Sequence, residues 1–363
     1  MLDPKCFVVN ARFLSRPASG VDRVAIELIS ALARRSDISM LTLLHPKVKT
    51  LYLGWLDQLD DAARAKIKLQ PHGVFTGHFW EQIELIRAFP DMMLLSLCST
   101  GPILRRNQAV MIHDAQVWDA ASSFSRAFRI AYRVLLPTVA RSARHVLTVS
   151  NFAKARLEDL GVVPRGKARV VLNGADHMLR IAADPDTLQR YELVAGGYLL
   201  AIGNLAPHKN LKLLIEAAAA RAPGCPELII AGGMNSKVFA DAELTAGNGV
   251  RFIGRVSDAE LKALYQGAMG LAFPSLTEGF GLPPVEAMQC GCPVIATTGG
   301  AVPEVCADAA IYVDPQDSAG WRIAMQRLAS DGVLRQRLVE LGGNRAARYR
   351  WSDAAGVIVK ELE

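Results

Sequence analysis

The stretch Pro274-Ser-Leu-Thr-Glu-Gly-Phe-Gly-Leu-Pro-Pro-Val-Glu-Ala-Met288 decides how the whole chain reads. A short apolar strand, Gly270–Phe273, precedes it and a helix follows, with Pro284 expected at the first helical position, where a missing N–H has no partner to lose. The start of that helix offers free backbone N–H groups and the positive end of a dipole, a natural seat for a diphosphate. Gly279 and Gly281 allow a ligand close to the backbone. Glu278 and Glu286 flank the turn, eight positions apart. Beside an anion they would repel it unless they faced something else, and sugar hydroxyls are the partners that fit. Taken blandly, Glu278 is a loop charge and Glu286 a first-turn helix acid.

Three further stretches keep company with this one. Gly203-Asn-Leu-Ala-Pro-His-Lys-Asn-Leu211 follows the strand Tyr198–Ile202, and Lys209 stands at the loop-to-helix junction, where an ammonium reaches phosphate oxygens. A lone lysine before a helix is usually just solvated. Ser19-Gly20-Val21 opens a helix after the first strand, Cys6–Asn10, but lacks a full GxGxxG fingerprint. Ile112-His113-Asp114 ends another strand, where a histidine is as often a satisfied core residue as a functional one.

Around these stretches, apolar strands alternate with amphipathic helices. Ser39–Leu44, Met92–Leu97, Ala109–Ile112 and His145–Val149 are each followed by a loop or helix, the signature of parallel sheets with crossover helices. The polar stretch from Arg180 to Ala195, broken by Pro185, reads as the entry to a second domain in which the rhythm restarts. The tail Ser352–Leu362 reads as a helix with Ser352 as its N-cap. The 363 residues suit two domains, at about 100–200 residues each. The expected fold is α/β, two Rossmann-like domains facing each other across a cleft. Its first domain spans 1–180, its second 181–345, and a C-terminal helix in 346–363 returns to the first. In open α/β sheets, ligands bind at the carboxyl ends of the strands.

Composition excludes other classes. With 51% hydrophobic and 21% charged residues the chain is globular, and no run approaches the ~20 apolar residues of a membrane span. The start, Met1-Leu-Asp-Pro-Lys-Cys6, runs into a strand rather than a signal-peptide core, so a cytoplasmic chain is expected. Cysteines 6, 98, 225, 290, 292 and 306 show no CxxC pair and read as reduced thiols, with no metal site expected. The net charge of +6 is uneven: residues 1–180 carry 25 basic against 15 acidic side chains, and 181–363 carry 16 against 20. Between Arg126 and Arg156 lie seven basic residues and no acid. Aromatic residues do not interleave with them, which argues against nucleic acid. Phe128, Ile130, Tyr132, Val134 and Leu136 suit an amphipathic helix on an anionic membrane, or a core-packed helix with a charged outer face.

Taken together, the motifs resemble those of the retaining GT-B glycosyltransferases of family 4. Glu278 through Glu286 matches their E-x7-E motif, continued by Cys290-Gly-Cys-Pro-Val-Ile-Ala-Thr297. Gly203–Asn210 looks like the family's phosphate loop, and Val302-Pro-Glu-Val305 with Ala310-Ile-Tyr-Val-Asp-Pro315 its next strand and turn. Gly20, His113-Asp114 and Thr148-Val-Ser-Asn-Phe-Ala153 follow in family order, so the similarity covers nearly the whole chain.

The resemblance implies that Glu286 binds ribose hydroxyls, while Glu278, with the backbone of Phe280, Gly281 and Leu282, holds the donor sugar. It implies that Lys209 grips the diphosphate with help from the Gly20 turn, that His113 sits near the reacting sugar, and that Val256 in Gly254–Asp258 lies against the base. Many relatives carry arginine where this chain has Asn204, so either Lys209 suffices or Arg23 or Arg255 contributes. The implied donor is a GDP- or UDP-linked sugar, with GDP-mannose first by likeness to bacterial exopolysaccharide mannosyltransferases. The implied acceptor is a glycan or a polyprenyl-diphosphate-linked sugar at the inner membrane face. Front-face attack without a metal is expected, ahead of double displacement through Glu278 or Asp114. Competing readings are a UDP-glucose or UDP-GlcNAc transferase, a nucleotide-sugar 2-epimerase, a dinucleotide-dependent oxidoreductase, and a non-catalytic nucleotide-sugar-binding protein.

Overall fold

The computed structural model describes residues 5–220, 226–233 and 249–363; Cys225 and residues 1–4 lie outside them. The described residues form two compact units. Unit 1 gathers Met1–Ala115, Arg126–Gly174 and Trp351–Glu363; unit 2 gathers Gln116–Ser125 and Ala175–Arg350.

Unit 1 is built on β1 (Lys5–Asn10), β2 (Ile38–His45), β3 (Ile67–Pro71), β4 (Leu94–Ser96), β5 (Gln108–Met111), β6 (His145–Thr148) and β7 (Ala168–Val170). All pairings are parallel, in the order β3-β2-β1-β4-β5-β6-β7. The order reverses between β1 and β4, which leaves a crevice at their carboxyl ends. There the Glu81 carboxylate, fully buried, accepts from Asn10 Nδ2 at 2.9 Å and Thr100 Oγ1 at 3.0 Å and pairs with Arg12 Nε at 3.4 Å. The helix Gly20–Arg34 starts beside it, and Asp22 accepts from the backbone N–H and hydroxyl of Ser19. Helix Trp351–Glu361 packs on that helix. Ser352 is therefore its second residue and not its N-cap; Trp351, 2% exposed, anchors the start one residue earlier.

Unit 2 repeats the plan with β8 (Tyr198–Ile202), β9 (Glu227–Ala231), β10 (Val250–Gly254), β11 (Gly270–Phe273), β12 (Val294–Thr297) and β13 (Ala310–Val313). They run parallel in the order β10-β9-β8-β11-β12-β13, with the reversal between β8 and β11. Trp321, Leu214, Leu228, Ile230 and Leu328 fill one face of this sheet. The stretch read as a polar entry contains a short helix, Thr187–Arg190.

Arg105 shows how unit 1 holds its least regular segment. It is 4% exposed, and its guanidinium donates to the carbonyls of Leu85 at 3.0 Å, Phe89 at 2.9 Å and Met92 at 2.6 Å, to Ala88, and through Nε to Asn107 at 3.2 Å. Arg105→Met keeps the bulk and removes the donors to these five carbonyls, of which Phe89 O and Asn107 O still accept from the N–H groups of Met92 and Leu94. We expect a loss of about 2–4 kcal/mol, read as a lower unfolding midpoint, with earlier proteolytic cleavage between residues 85 and 92. Arg105→Lys, with three donors instead of five, should recover only part of it.

Candidate functional site

The site in unit 2 grows from the strand ends around its reversal point. Gly203 follows β8, Gly232 follows β9 and Gly254 ends β10, joined laterally by Gly203 N–H to Ala231 O at 3.0 Å and Gly232 N–H to Gly254 O at 2.7 Å. A Cβ on Gly232 would lie 2.0 Å from Gly203 O, so only glycine fits there. The aliphatic stem of Lys209 lies over Gly203, 3.5 Å from where a Cβ would stand.

The loop after β8 and the loop after β11 are stitched together. Leu276 N–H donates to His208 O at 2.8 Å, and Asn210 Nδ2 donates to Pro274 O at 3.2 Å and Pro315 O at 2.6 Å. Asn210 itself takes a left-handed φ of +54°, which asparagine accepts more readily than most residues. Across this seam the Lys209 ammonium meets Glu278 Oε1 at 2.7 Å, with both side chains partly open, 24% and 12% exposed. Glu278 is fixed from the other side: Ala301 N–H donates to its carbonyl at 2.9 Å, and a Cβ on Gly300 would lie 2.4 Å from its N. Gly299 and Gly300 thus belong to the site, although nothing in the stretch Thr298–Gly300 drew notice at the level of sequence.

The helix after β11 begins at Leu282, earlier than expected: Pro283 and Pro284 are its second and third residues, not its first. Gly281, at φ +93°, makes the turn into it and places the start there. Both prolines are tolerated because first-turn N–H groups have no helical partner. They also remove two donors, so the N–H groups of Gly281 and Leu282 are those left to serve an anion. Phe280 is buried edge-on against Tyr349, 5.5 Å between centroids, so its side chain is core and only its backbone faces the turn.

Glu286 lies one turn into this helix and is 7% exposed. His177 Nε2 donates to its Oε1 at 3.0 Å, and Tyr265 hydroxyl sits 3.2 Å from Oε2 and 3.3 Å from Pro283 O. Burial, then the Glu286 charge, holds the Tyr265 phenol well above its ordinary pKa, so it stays a proton donor. Sequence reasoning passed over both partners. A buried tyrosine must place its hydroxyl somewhere, which is the signal Tyr265 offered; His177 offered none.

The remaining expected residues fall as follows. Asn204 is exposed and its Oδ1 accepts from Ala206 N–H at 3.2 Å, so it shapes the loop. Val256 is half-buried in the loop after β10, with Arg255 exposed beside it. Gly20 and His113 belong to unit 1. Gly20 is the exposed first residue of its helix; His113 is 5% exposed and its Nε2 donates to Leu97 O at 2.7 Å. Burial lowers the His113 pKa, which keeps the ring neutral near pH 7. His208, beside Lys209, bonds through Nδ1 to Ser123 Oγ at 3.0 Å and stacks on Phe124 at 6.4 Å. Segment Gln116–Ser125 therefore braces the Lys209 loop, a partnership that no motif or spacing marks. The described cysteines carry free thiols, and burial pushes Cys290 up to about 12. Among the described residues, no cluster of three or more His, Cys, Asp or Glu side chains could hold a metal ion.

Residues 194–345 match the family of glycosyl transferases group 1. The chain is 27% identical over 333 residues to the O-antigen chain mannosyltransferase RfbU of Salmonella typhimurium, covering 88% of this chain and 90% of that one. It is 28% identical over 370 residues to O-antigen chain mannosyltransferase B of Escherichia coli, covering 93% and 94%. Among solved structures, sucrose-phosphate synthase from Thermosynechococcus elongatus superposes with a TM-score of 0.76 at 18% identity over 99% of both chains, a likeness of fold. The chain is a glycosyltransferase of the two-domain GT-B fold, with residues 194–345 similar to the glycosyl transferases group 1 family.

Proposed function

We propose that the chain moves a hexose, mannose from GDP-mannose, onto a glycan or polyprenyl-diphosphate-linked acceptor in polysaccharide assembly, with retention at the anomeric carbon and no metal in the transfer step. The observation that carries this reading is the Lys209–Glu278 pair at 2.7 Å, seated where the strand order reverses, with Glu286 one helical turn further on. The names of the Salmonella and Escherichia relatives support mannose and O-antigen-like glycans. A UDP-linked hexose is the other donor to test.

In this reading Lys209 turns from Glu278 to the departing diphosphate, helped by the N–H groups of Gly281 and Leu282. Glu278 is then left to accept hydroxyls of the donor sugar. Positive groups held in place before the reaction stabilise charge as it develops on the leaving group. The C1–O bond to the diphosphate breaks, the acceptor oxygen bonds C1 on the same face, and the acceptor proton passes to the leaving phosphate oxygen. His113, neutral and held by Leu97 O, lines the acceptor side. Asn204, Val256, Phe280 backbone and Glu286 complete the nucleotide-sugar seat.

The helix Arg126–Ser142 supports a peripheral membrane contact at the cytoplasmic face. Of its residues only Leu136, Val139 and Ala140 are buried, while Phe128, Ile130 and Val134 are 36%, 68% and 66% exposed among arginines. A basic helix with an uncovered apolar face suits the surface of an anionic bilayer.

A thermal-shift series with GDP, UDP, dTDP and ADP tests the donor site. One nucleotide, at a hundred times its dissociation constant, should add about 2.7 kcal/mol of stability with EDTA present. Lys209→Ala should weaken that nucleoside diphosphate by about 10–100-fold and the matching monophosphate little, the scale of one lost charged hydrogen bond. No stabilisation by any of the four would overturn the site as drawn. Glu278→Gln should leave diphosphate affinity intact while transfer falls by about a hundredfold or more. Sedimentation with anionic vesicles should pull down the wild type, and Ile130→Glu with Val134→Glu should stay in the supernatant; equal recovery would remove the membrane assignment.

A further inference from the structure

Glu286 is a buried carboxylate held by two hydrogen bonds that the donor reading does not need, and they come from two different elements. His177 is the first residue of the one-turn helix His177–Arg180 and is 2% exposed. A carboxylate only accepts, so His177 Nε2 carries the proton of the 3.0 Å bond to Oε1. Tyr265 comes from the helix Asp258–Gly267 and bridges Oε2 and the Pro283 carbonyl of the helix that carries Glu286. Each carboxylate oxygen therefore has one lone pair engaged by the protein and one left. Two remaining acceptors, at the fixed spacing of one carboxylate, match a pair of vicinal hydroxyls.

We propose that His177 is a positioning residue for ribose recognition: it locks the Glu286 carboxylate so that its two remaining lone pairs select the 2′- and 3′-hydroxyls of the donor nucleotide. The inference rests on the reading that Glu286 faces the donor ribose. A free glutamate side chain has several rotamers, and a carboxylate that must find its orientation at binding loses selectivity between one hydroxyl and two. Held at Oε1 by the imidazole and at Oε2 by the phenol, it has one orientation before the ligand arrives, and the ordering cost is met in folding. His177 touches no substrate in this scheme.

The test measures discrimination rather than affinity. Dissociation constants are compared for the stabilising nucleoside diphosphate, GDP or UDP, and for its 2′-deoxy and 3′-deoxy forms. The full-length wild type should prefer the ribonucleotide by about tenfold or more, the scale of a hydrogen bond to a charged acceptor. His177→Phe, which keeps the ring but not the donor, should erase most of that preference and leave affinity for the deoxy forms unchanged. His177→Gln, which restores an N–H at similar reach, should recover it; this variant and Tyr265→Phe carry the test if His177→Phe does not fold. Equal weakening of ribo and deoxy forms marks a merely structural role and overturns the proposal. Preference kept in His177→Phe but lost in Glu286→Gln also overturns it and leaves the ribose reading standing. Preference kept in Glu286→Gln as well sinks that reading and the proposal with it.

Discussion

Glu278 is held from behind by backbone that tolerates no side chain. Gly299 and Gly300, just past the end of β12, press against the backbone of residues 276–278, and any Cβ there would collide with it. Ala301 N–H then pins the Glu278 carbonyl. From the other side, Asn210 and the Leu276–His208 bond tie in the loop that carries Lys209. A partly exposed ion pair adds little to folding stability. The Lys209–Glu278 pair is better understood as the product of this scaffolding, two opposite charges placed by rigid main chain at the one point of the sheet that opens a crevice.

The two units use the same strand order and treat their reversal points differently. In unit 1 the carboxylate at that point, Glu81, is sealed and its partners Asn10, Thr100 and Arg12 satisfy it from within. In unit 2 the corresponding crevice leaves its charges within reach of solvent, and the buried carboxylate, Glu286, sits one turn deeper on a helix. A common architecture thus yields a closed polar core in one unit and an open polar seat in the other. The difference lies in side chains at strand ends rather than in topology, as expected where function is carried by loops on a fixed frame.

What the sequence made legible has local causes. The alternation of apolar strands and helices follows from residue spacing, and β1, β2, β5, β6, β8 and β11 fall within about a residue of their expected places. The seat of Lys209, Glu278 and Glu286 was visible because glycine, proline and acid stand at fixed offsets in one short run. Two misses are offsets of a helix start: Pro284 and Ser352 were each assigned one that the structure places a residue or two earlier, because Gly281 and buried Trp351 decide those starts. The other misses are non-local. His177 reaches Glu286 across 109 positions of chain, and the bracing of His208 by Ser123 across 85. No periodicity marks either pairing, since each depends on which sheet a short segment comes to rest against.

The path of the chain between the units has a consequence for how it is made. The backbone leaves unit 1 after Ala115, returns at Arg126, leaves again after Gly174 and comes back at Trp351. The helix Trp351–Glu361 covers the helix Gly20–Arg34, whose buried side chains are mostly apolar, with Asp22, Glu27 and Ser30 among them. On the ribosome, most of unit 1 is therefore made before the bulk of unit 2 and is completed only after it. The part of Gly20–Arg34 that Trp351–Glu361 covers must wait, open, through the synthesis of unit 2, although β2 packs on the same helix earlier. Such a nascent chain is exposed to misassembly over that interval, and the helix Trp351–Glu361 acts as the closure that ends it.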